Sequence, residues 1–214
     1  MRLILLRHGK TPGNLEKRYI GRTDEPLCAE GEQQARAVGA VQGVSLVYVS
    51  PLLRARQTAK IAFPDARQIV VPDLREMDFG DFDNLNFHDL SDNPDYRAWV
   101  EGNCEARCPH GESKDEFTRR TANAVRTLLR QAFDQVDGRV IVVAHGGTIM
   151  AAMDSFTCGK GSYYSWHVEN CEGYSVRVEP TLLGGFEFED CQKITTADRW
   201  GFAHEDIGEF YDLR

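Results

Sequence analysis

Two histidines of this chain occur in the same local setting: Leu6-Arg7-His8-Gly9 and Ala144-His145-Gly146-Gly147. Each follows directly on an unbroken apolar run, residues 3–6 in the first case and 140–144 in the second. A neutral imidazole can attack phosphorus in line and hold the phosphoryl group covalently. Arg7 beside His8, and Arg54 in the run Ser50-Pro51-Leu52-Leu53-Arg54, offer guanidinium forks that match phosphate oxygens two at a time. Arginines and a second histidine would neutralise charge on the transferring oxygens. The leaving alkoxide would still need a proton. Glu76, in Leu74-Arg75-Glu76-Met77-Asp78-Phe79-Gly80, is the candidate donor, with Asp78, Asp81 and Asp83 expected to raise its pKa. By residue type alone the bland alternatives stay open. The first strand could end in two polar surface residues, Arg54 and Arg56 could point into solvent, and Glu76 could be an ordinary surface carboxylate.

These side chains converge only if particular elements carry them. Apolar runs without polar alternation suit strands buried on both faces of a parallel sheet, and ligands bind beyond the carboxyl ends of such strands. Runs at 3–6, 46–49, 69–71 and 140–144 are predicted strands. Helices are predicted at 15–18, 30–41 (closed by Gly43), 52–62, 113–136 and 148–156, with short ones at 86–90 and 95–100. Ser50 is expected to cap the 52–62 helix with Pro51 in its first turn, and Ser113 with Glu116 fits a capping box. Alternation at 174–179 and 185–189 around Gly184-Gly185 predicts a hairpin at a sheet edge that could pair between subunits of a dimer. Residues 73–112 read as an insertion that lines or covers a site, with aromatics better suited to a core than to substrate stacking. The tail 195–214, with Trp200, Phe202, Phe210 and Tyr211, is expected to pack back on the body. The fold class is α/β, three layers with a mostly parallel central sheet.

The 214 residues suit one domain over 1–214, with a core that needs no staple. A net charge of −8 argues against nucleic acid and anionic membranes as partners, and no apolar run approaches a membrane span. The six cysteines form no Cys-x-x-Cys pair and no signal peptide is evident, which predicts reduced thiols in a cytoplasmic protein. Cys104-x3-Cys108-x-His110 has part of the look of a zinc site but lacks a convincing fourth ligand, so no metal is expected.

Six motifs in order complete the pattern: Leu6-Arg7-His8-Gly9-Lys10-Thr11 with Asn14; Gly21-Arg22-Thr23-Asp24-x-Pro26-Leu27 with Gly31; Ser50-Pro51-Leu52-x-Arg54-Ala55-x-Gln57-Thr58-Ala59; Leu74-x-Glu76-x-x-x-Gly80; Pro109-x-Gly111-Glu112-Ser113; and Val143-Ala144-His145-Gly146-Gly147. With these the chain resembles the histidine phosphatase superfamily, of phosphoglycerate mutase-like fold. The resemblance implies that His8 becomes the phosphohistidine, that Arg7 and Arg54 clamp phosphate, that His145 is the second histidine, and that Glu76 is the proton donor. It places Asn14 in the phosphate pocket, with Thr11, Gly21 and Gly146 as substrate-binding neighbours, and it implies no metal and no cofactor.

The chain departs from the family pattern at Lys10, where an acid is common, and at Phe82-Asp83-Asn84, where aromatic-Glu-Gly is common. The basic segments with which mutases hold a second phosphate are missing. The expectation is therefore hydrolysis of a small phosphorylated metabolite, similar to alpha-ribazole or broad-specificity phosphatases. The rivals are a cofactor-dependent phosphoglycerate mutase, a protein that binds a phosphorylated ligand without turnover, and a phosphoprotein phosphatase. The acidic balance counts mildly against the last.

Overall fold

The structure, a computed structural model, describes residues 1–39, 44–133 and 138–195. The first half carries β1 (Arg2–Arg7), α1 (Pro12–Leu15), α2 (Ala29–Ala37), β2 (Leu46–Val49), α3 (Leu53–Ala62) and β3 (Arg67–Val70). Then come α4 (Phe87–Leu90), α5 (Pro94–Glu101), α6 (Lys114–Phe133), β4 (Arg139–Ala144), α7 (Gly146–Phe156), β5 (Gly173–Pro180) and β6 (Phe186–Ile194).

The strands form one sheet in the order β3-β2-β4-β1-β5-β6. The first four are parallel, β1 and β4 pairing from Leu3 beside Val140 to Arg7 beside Ala144. β5 runs antiparallel to β1, and β6 antiparallel to β5 at the edge. Successive side chains of a strand point to opposite faces, so the unbroken apolar runs split between two layers. Leu3, Leu5, Val140 and Val142 pack with Val125, Leu128, Leu129 of α6 and Ile149, Met153 of α7. Ile4, Leu6, Val47, Val49, Ile141 and Val143 pack with Ala35 of α2 and Ala55, Ala59, Ala62 of α3. This is the expected three-layer α/β arrangement with a mostly parallel sheet.

Several boundaries differ from the sequence expectation. The first short helix is Pro12–Leu15 rather than 15–18, because Thr11 caps it through Asn14 and Lys17 leaves it at a φ of 54°. α2 stops at Ala37 because Gly39, at a φ of 87°, ends it before Gly43 is reached. Ser50 does not cap α3; the cap position is Leu52, and the Ser50 hydroxyl is engaged elsewhere. α7 starts at Gly146 rather than 148, since His145 is still extended. β3 begins two residues early and ends one early, with Val71 turning into Pro72. Ser113 and Glu116 do make their reciprocal bonds at the start of α6. Positions 136 and 41, where the sequence puts the ends of α6 and α2, and the tail beyond 195 lie outside the described residues. The edge hairpin is longer than predicted, its second strand running to Ile194 with a bulge at Ser175–Arg177. Within 73–112, Phe82, Leu90, Tyr96 and Trp99 gather with Met77, Cys108 and Phe117 into a core of their own, and Phe79 and Tyr19 pack against it. Among the described residues no helix is long and apolar enough to cross a membrane.

Candidate active site

Neighbouring strands β2, β4 and β1 end side by side and deliver Ser50, His145 and His8 to one place. The ladder extends past the strands: the His8 N–H donates to Ala144 O at 3.0 Å and the Ser50 N–H to Val143 O at 3.0 Å. The two imidazole rings stand 5.1 Å apart at 63°. His8 Nδ1 lies 2.7 Å from Gly9 O. A carbonyl only accepts, so that contact assigns the hydrogen to Nδ1 and the lone pair to Nε2. His145 is turned the other way, its Nε2 2.6 Å from Ser50 Oγ. Ser50 Oγ accepts the Leu52 N–H at 3.3 Å, and among the described residues its own hydrogen has no acceptor but His145 Nε2, which places the ring hydrogen on Nδ1. That Nδ1 is buried without a partner among the described residues. Burial pushes both imidazoles well below their ordinary value, with Arg54 the leading charge acting in the same direction. Both are neutral at physiological pH.

Arg54, in the first turn of α3, is fully buried. Its Nη1 donates to Thr23 O (2.9 Å) and its Nη2 to Ile20 O (3.0 Å) and Gly21 O (3.1 Å). The anion that α3 carries at its own terminus is Asp24, which accepts the Leu53 N–H at 2.6 Å. Arg56 is exposed, so of the two arginines only Arg54 belongs to the site. Arg7 Nη1 donates to Val168 O at 2.7 Å. The Nε of Arg7 and the Nε of Arg54 are both buried and without a partner among the described residues. For both guanidinium groups Glu76 is the leading opposing charge.

Glu76 reaches the same place after a short turn at Pro72–Leu74. Its Oε1 accepts the Met77 N–H at 2.9 Å and its Oε2 the Gly147 N–H of α7 at 3.0 Å. Burial holds its carboxyl above the ordinary value, and the two N–H groups and the arginines only partly offset that. The direction matches the sequence expectation but the cause does not. Asp83 accepts from Gly21 N–H (2.6 Å) and Thr23 N–H (2.9 Å), Asp81 lies 2.9 Å from His110 Nδ1, and Asp78 lies 3.5 Å from Arg22. All three are engaged elsewhere, and desolvation does the work assigned to them.

The remaining predicted residues frame the pocket. Asn14 Oδ1 accepts the Thr11 N–H and Asn170 Nδ2, each at 3.2 Å. Thr11 is buried, and its hydroxyl accepts the Asn14 N–H at 3.3 Å. The N–H of Gly21 is held by Asp83 and its carbonyl by Arg54. Thr11 and Gly21 therefore shape the loops behind the pocket. The Gly146 N–H is in the first turn of α7, where helix donors lack internal acceptors. Lys10 is tied to Glu30 at 2.5 Å.

Sequence reasoning missed three supports. Asn170 Nδ2 also donates to His8 O at 3.0 Å; a lone asparagine between strands gives no periodic or charge signal. Thr58 Oγ1 accepts the Gly9 N–H at 3.0 Å and donates to Arg54 O at 2.8 Å. Gln57 Oε1 accepts the Leu27 N–H at 2.8 Å. The last two lie in the Ser50–Ala59 motif, whose residue types do not reveal partners distant in sequence. Of the half zinc pattern, Cys108 is buried in the aromatic core and His110 turns outward to Asp81.

Comparison with known proteins agrees with this geometry. Residues 3–183 match the model of the histidine phosphatase superfamily (branch 1). The probable phosphoglycerate mutase GpmB of Klebsiella pneumoniae (strain 342) is 35% identical over 209 residues, covering 92% of this chain and 95% of that protein. The adenosylcobalamin/alpha-ribazole phosphatase of Escherichia coli (strain K12) is 33% identical over 181 residues, 81% of this chain and 87% of that protein. Among solved structures, the alpha-ribazole phosphatase of Shigella flexneri superposes with a TM-score of 0.73 at 26% identity, covering 88% of this chain and 95% of that one. A phosphoglycerate mutase of Thermus thermophilus gives 0.64 at 29% identity, with 91% and 99% covered. Two histidines at neighbouring strand ends with Arg7 and Arg54 acting on them, and a family match spanning most of the chain, lead to one conclusion: the chain belongs to the histidine phosphatase superfamily.

Proposed function

We propose that this enzyme hydrolyses a small phosphomonoester by double displacement through phospho-His8. One observation carries the reading: three buried nitrogen donors without partners among the described residues, Arg7 Nε, Arg54 Nε and His145 Nδ1, belong to side chains gathered at the same strand ends. A buried donor left unpaired costs on the order of 1–3 kcal/mol, so three together mark a site completed by an oxyanion.

His8 Nε2 attacks phosphorus in line while the ester P–O bond breaks. The leaving oxygen takes the proton of Glu76, whose burial keeps it protonated at higher pH than an exposed glutamate. Arg7, Arg54, the His145 Nδ1–H, the Asn14 NH2 and the Gly146 N–H receive the non-bridging oxygens. Glu76, now a carboxylate, takes a proton from water, which attacks phosphorus as the Nε2–P bond breaks, and inorganic phosphate leaves.

Hydrolysis is favoured over mutase chemistry by the charges at the rim. Lys10 is paired with Glu30 and Arg22 with Asp78, and carboxylates dominate the rest of the rim segment 78–83. A second phosphate would meet repulsion there. Relatives carrying the alpha-ribazole phosphatase name support a small ring-bearing alcohol phosphate as substrate. Six free thiols support a reducing compartment, which we take to be the cytoplasm. The mutase reading rests on relatives named probable phosphoglycerate mutase, and it predicts isomerisation of 3-phosphoglycerate that requires a bisphosphate primer.

The test is phosphate release from a panel that includes alpha-ribazole phosphate and 3-phosphoglycerate, with His8→Ala alongside. Release by the native chain alone is expected. More than a trace from His8→Ala would end the nucleophile assignment, and isomerisation without release would establish the mutase.

A further inference from the structure

The motif Pro109-His110-Gly111-Glu112-Ser113 has no part in the pocket described above, and Glu112 touches none of its polar groups except through the loop of Glu76. Segments 76–81 and 109–112 run against one another and, besides the exposed His110–Asp81 contact, are fastened by three hydrogen bonds to backbone groups. The Asp78 N–H donates to Glu112 Oε2 (3.0 Å), the Glu112 N–H to Asp78 O (2.8 Å), and the Asp81 N–H to Pro109 O (2.9 Å). The approach is so close that a Cβ on Gly111 would lie 2.3 Å from Asp78 O, and one on Gly80 1.9 Å from Pro109 O.

Arg120, in the second turn of α6, completes the arrangement. Its Nε and Nη2 fork onto the Glu112 carboxylate at 2.9 and 2.7 Å. Its remaining N–H groups reach the carbonyls of Asp73 (2.8 Å), Arg75 (3.1 Å) and Glu76 itself (3.3 Å). The side chains are only 12% and 17% exposed, so water screens the pair little. Burial alone would raise the Glu112 carboxyl, but the Arg120 fork and the Asp78 N–H more than reverse that and hold it below its ordinary value.

We propose that the Glu112–Arg120 pair is a positioning device for the Glu76 acid, fixing the backbone on both sides of it, its own carbonyl and the Asp78 N–H, to the rigid helix α6. The proposal rests on the reading of Glu76 as proton donor. Neither side chain contacts the Glu76 carboxyl. A planar bidentate pair holds a loop in angle as well as distance, which a single lysine or water contact would not. Displacing a catalytic group by an ångström can lower the rate by on the order of 100-fold.

The experiment compares glycerol 2-phosphate, whose alkoxide needs a proton, with p-nitrophenyl phosphate, whose phenolate does not. Glu112→Gln should lower kcat/KM, which reports phosphoryl transfer to His8 and not the later hydrolysis common to both esters, by about 10- to 100-fold on glycerol 2-phosphate and by less than about threefold on p-nitrophenyl phosphate. The double variant Glu76→Gln/Glu112→Gln should be no slower on glycerol 2-phosphate than Glu76→Gln alone, because residues acting as one unit are non-additive. Equal losses on both esters, or multiplied losses in the double variant, would overturn the proposal and leave the pair a purely structural strut. If Glu112→Gln does not fold, Arg120→Lys, which keeps the charge but not the fork, carries the same comparison. If Glu76→Gln itself fails to discriminate between the esters, the acid assignment falls and takes the clamp with it. If Glu76→Gln discriminates and the clamp variants do not, only the clamp falls.

Discussion

A histidine serves as a phosphoryl acceptor only when it is neutral and has its free nitrogen pointed outward. At His8 both conditions are met by ordinary interactions: burial removes the charge, and Gly9 O takes the Nδ1 hydrogen. At His145 the same chemistry is set in mirror form by Ser50, so that one ring presents a lone pair and the other a hydrogen. Ser50→Ala removes the partner that selects the His145 tautomer. A hydrogen bond to a charged group contributes roughly 1.5–3 kcal/mol, so kcat/KM on p-nitrophenyl phosphate should fall by about 10- to 100-fold with the fold retained. Unchanged kinetics would show that His145 needs no such selection. Glu76→Gln should lower kcat/KM on glycerol 2-phosphate much more than on p-nitrophenyl phosphate, and matched losses in kcat/KM would remove Glu76 from protonation of the leaving group.

Single elements here serve two ends at once. The first turn of α3 supplies the guanidinium proposed to clamp phosphate and, through the same Arg54 side chain, holds the 20–23 loop by three carbonyls. Arg54→Ala should therefore lower stability as well as activity. Carbonyls left unpaired in a buried setting cost about 1–3 kcal/mol each, so a loss of about 3 kcal/mol or more is expected in denaturant unfolding. An inactive variant with native stability would show that the loop does not depend on Arg54. The short helix α1 is similarly double: its capping box fixes Asn14, and Asn14 in turn meets Asn170, which holds the carbonyl of His8.

At the scale of the whole molecule, the active site imposes a pH dependence on folding. His8 and His145 are held below their ordinary pKa in the folded state. Unfolded, each takes up a proton as pH falls through about 6.5. Below that pH the unfolded state binds more protons, so stability falls on acidification, by at most about 1.4 kcal/mol per pH unit for each histidine. Glu76 opposes this in part. Its raised carboxyl contributes stability at low pH that is lost as pH rises through its folded value. Two histidines outweigh one glutamate. The melting temperature should therefore drop below about pH 6.5, and less steeply in His8→Ala. A variant with the native slope would show that His8 is not neutral in the folded chain.

The sequence by itself determined which residues could do chemistry and which strands would carry them. Leu3-Ile4-Leu5-Leu6 and Val140-Ile141-Val142-Val143 are local signals, since a run with no polar face has to be covered on both sides. Arg7, His8 and His145 follow those runs directly, so their placement came with the strands. Only the tertiary structure decided the rest. The neighbours of Ser50 in sequence suggest a helix cap, but its partner, His145, lies 95 positions away across a strand pair. Sequence points to the nearby aspartates as the cause of the raised Glu76 pKa, because charge is visible in a sequence and burial, the actual cause, is not. Asn170, Arg120 and Glu112 act through backbone groups brought to them by register and close approach. Those distances exist only once the chain has folded.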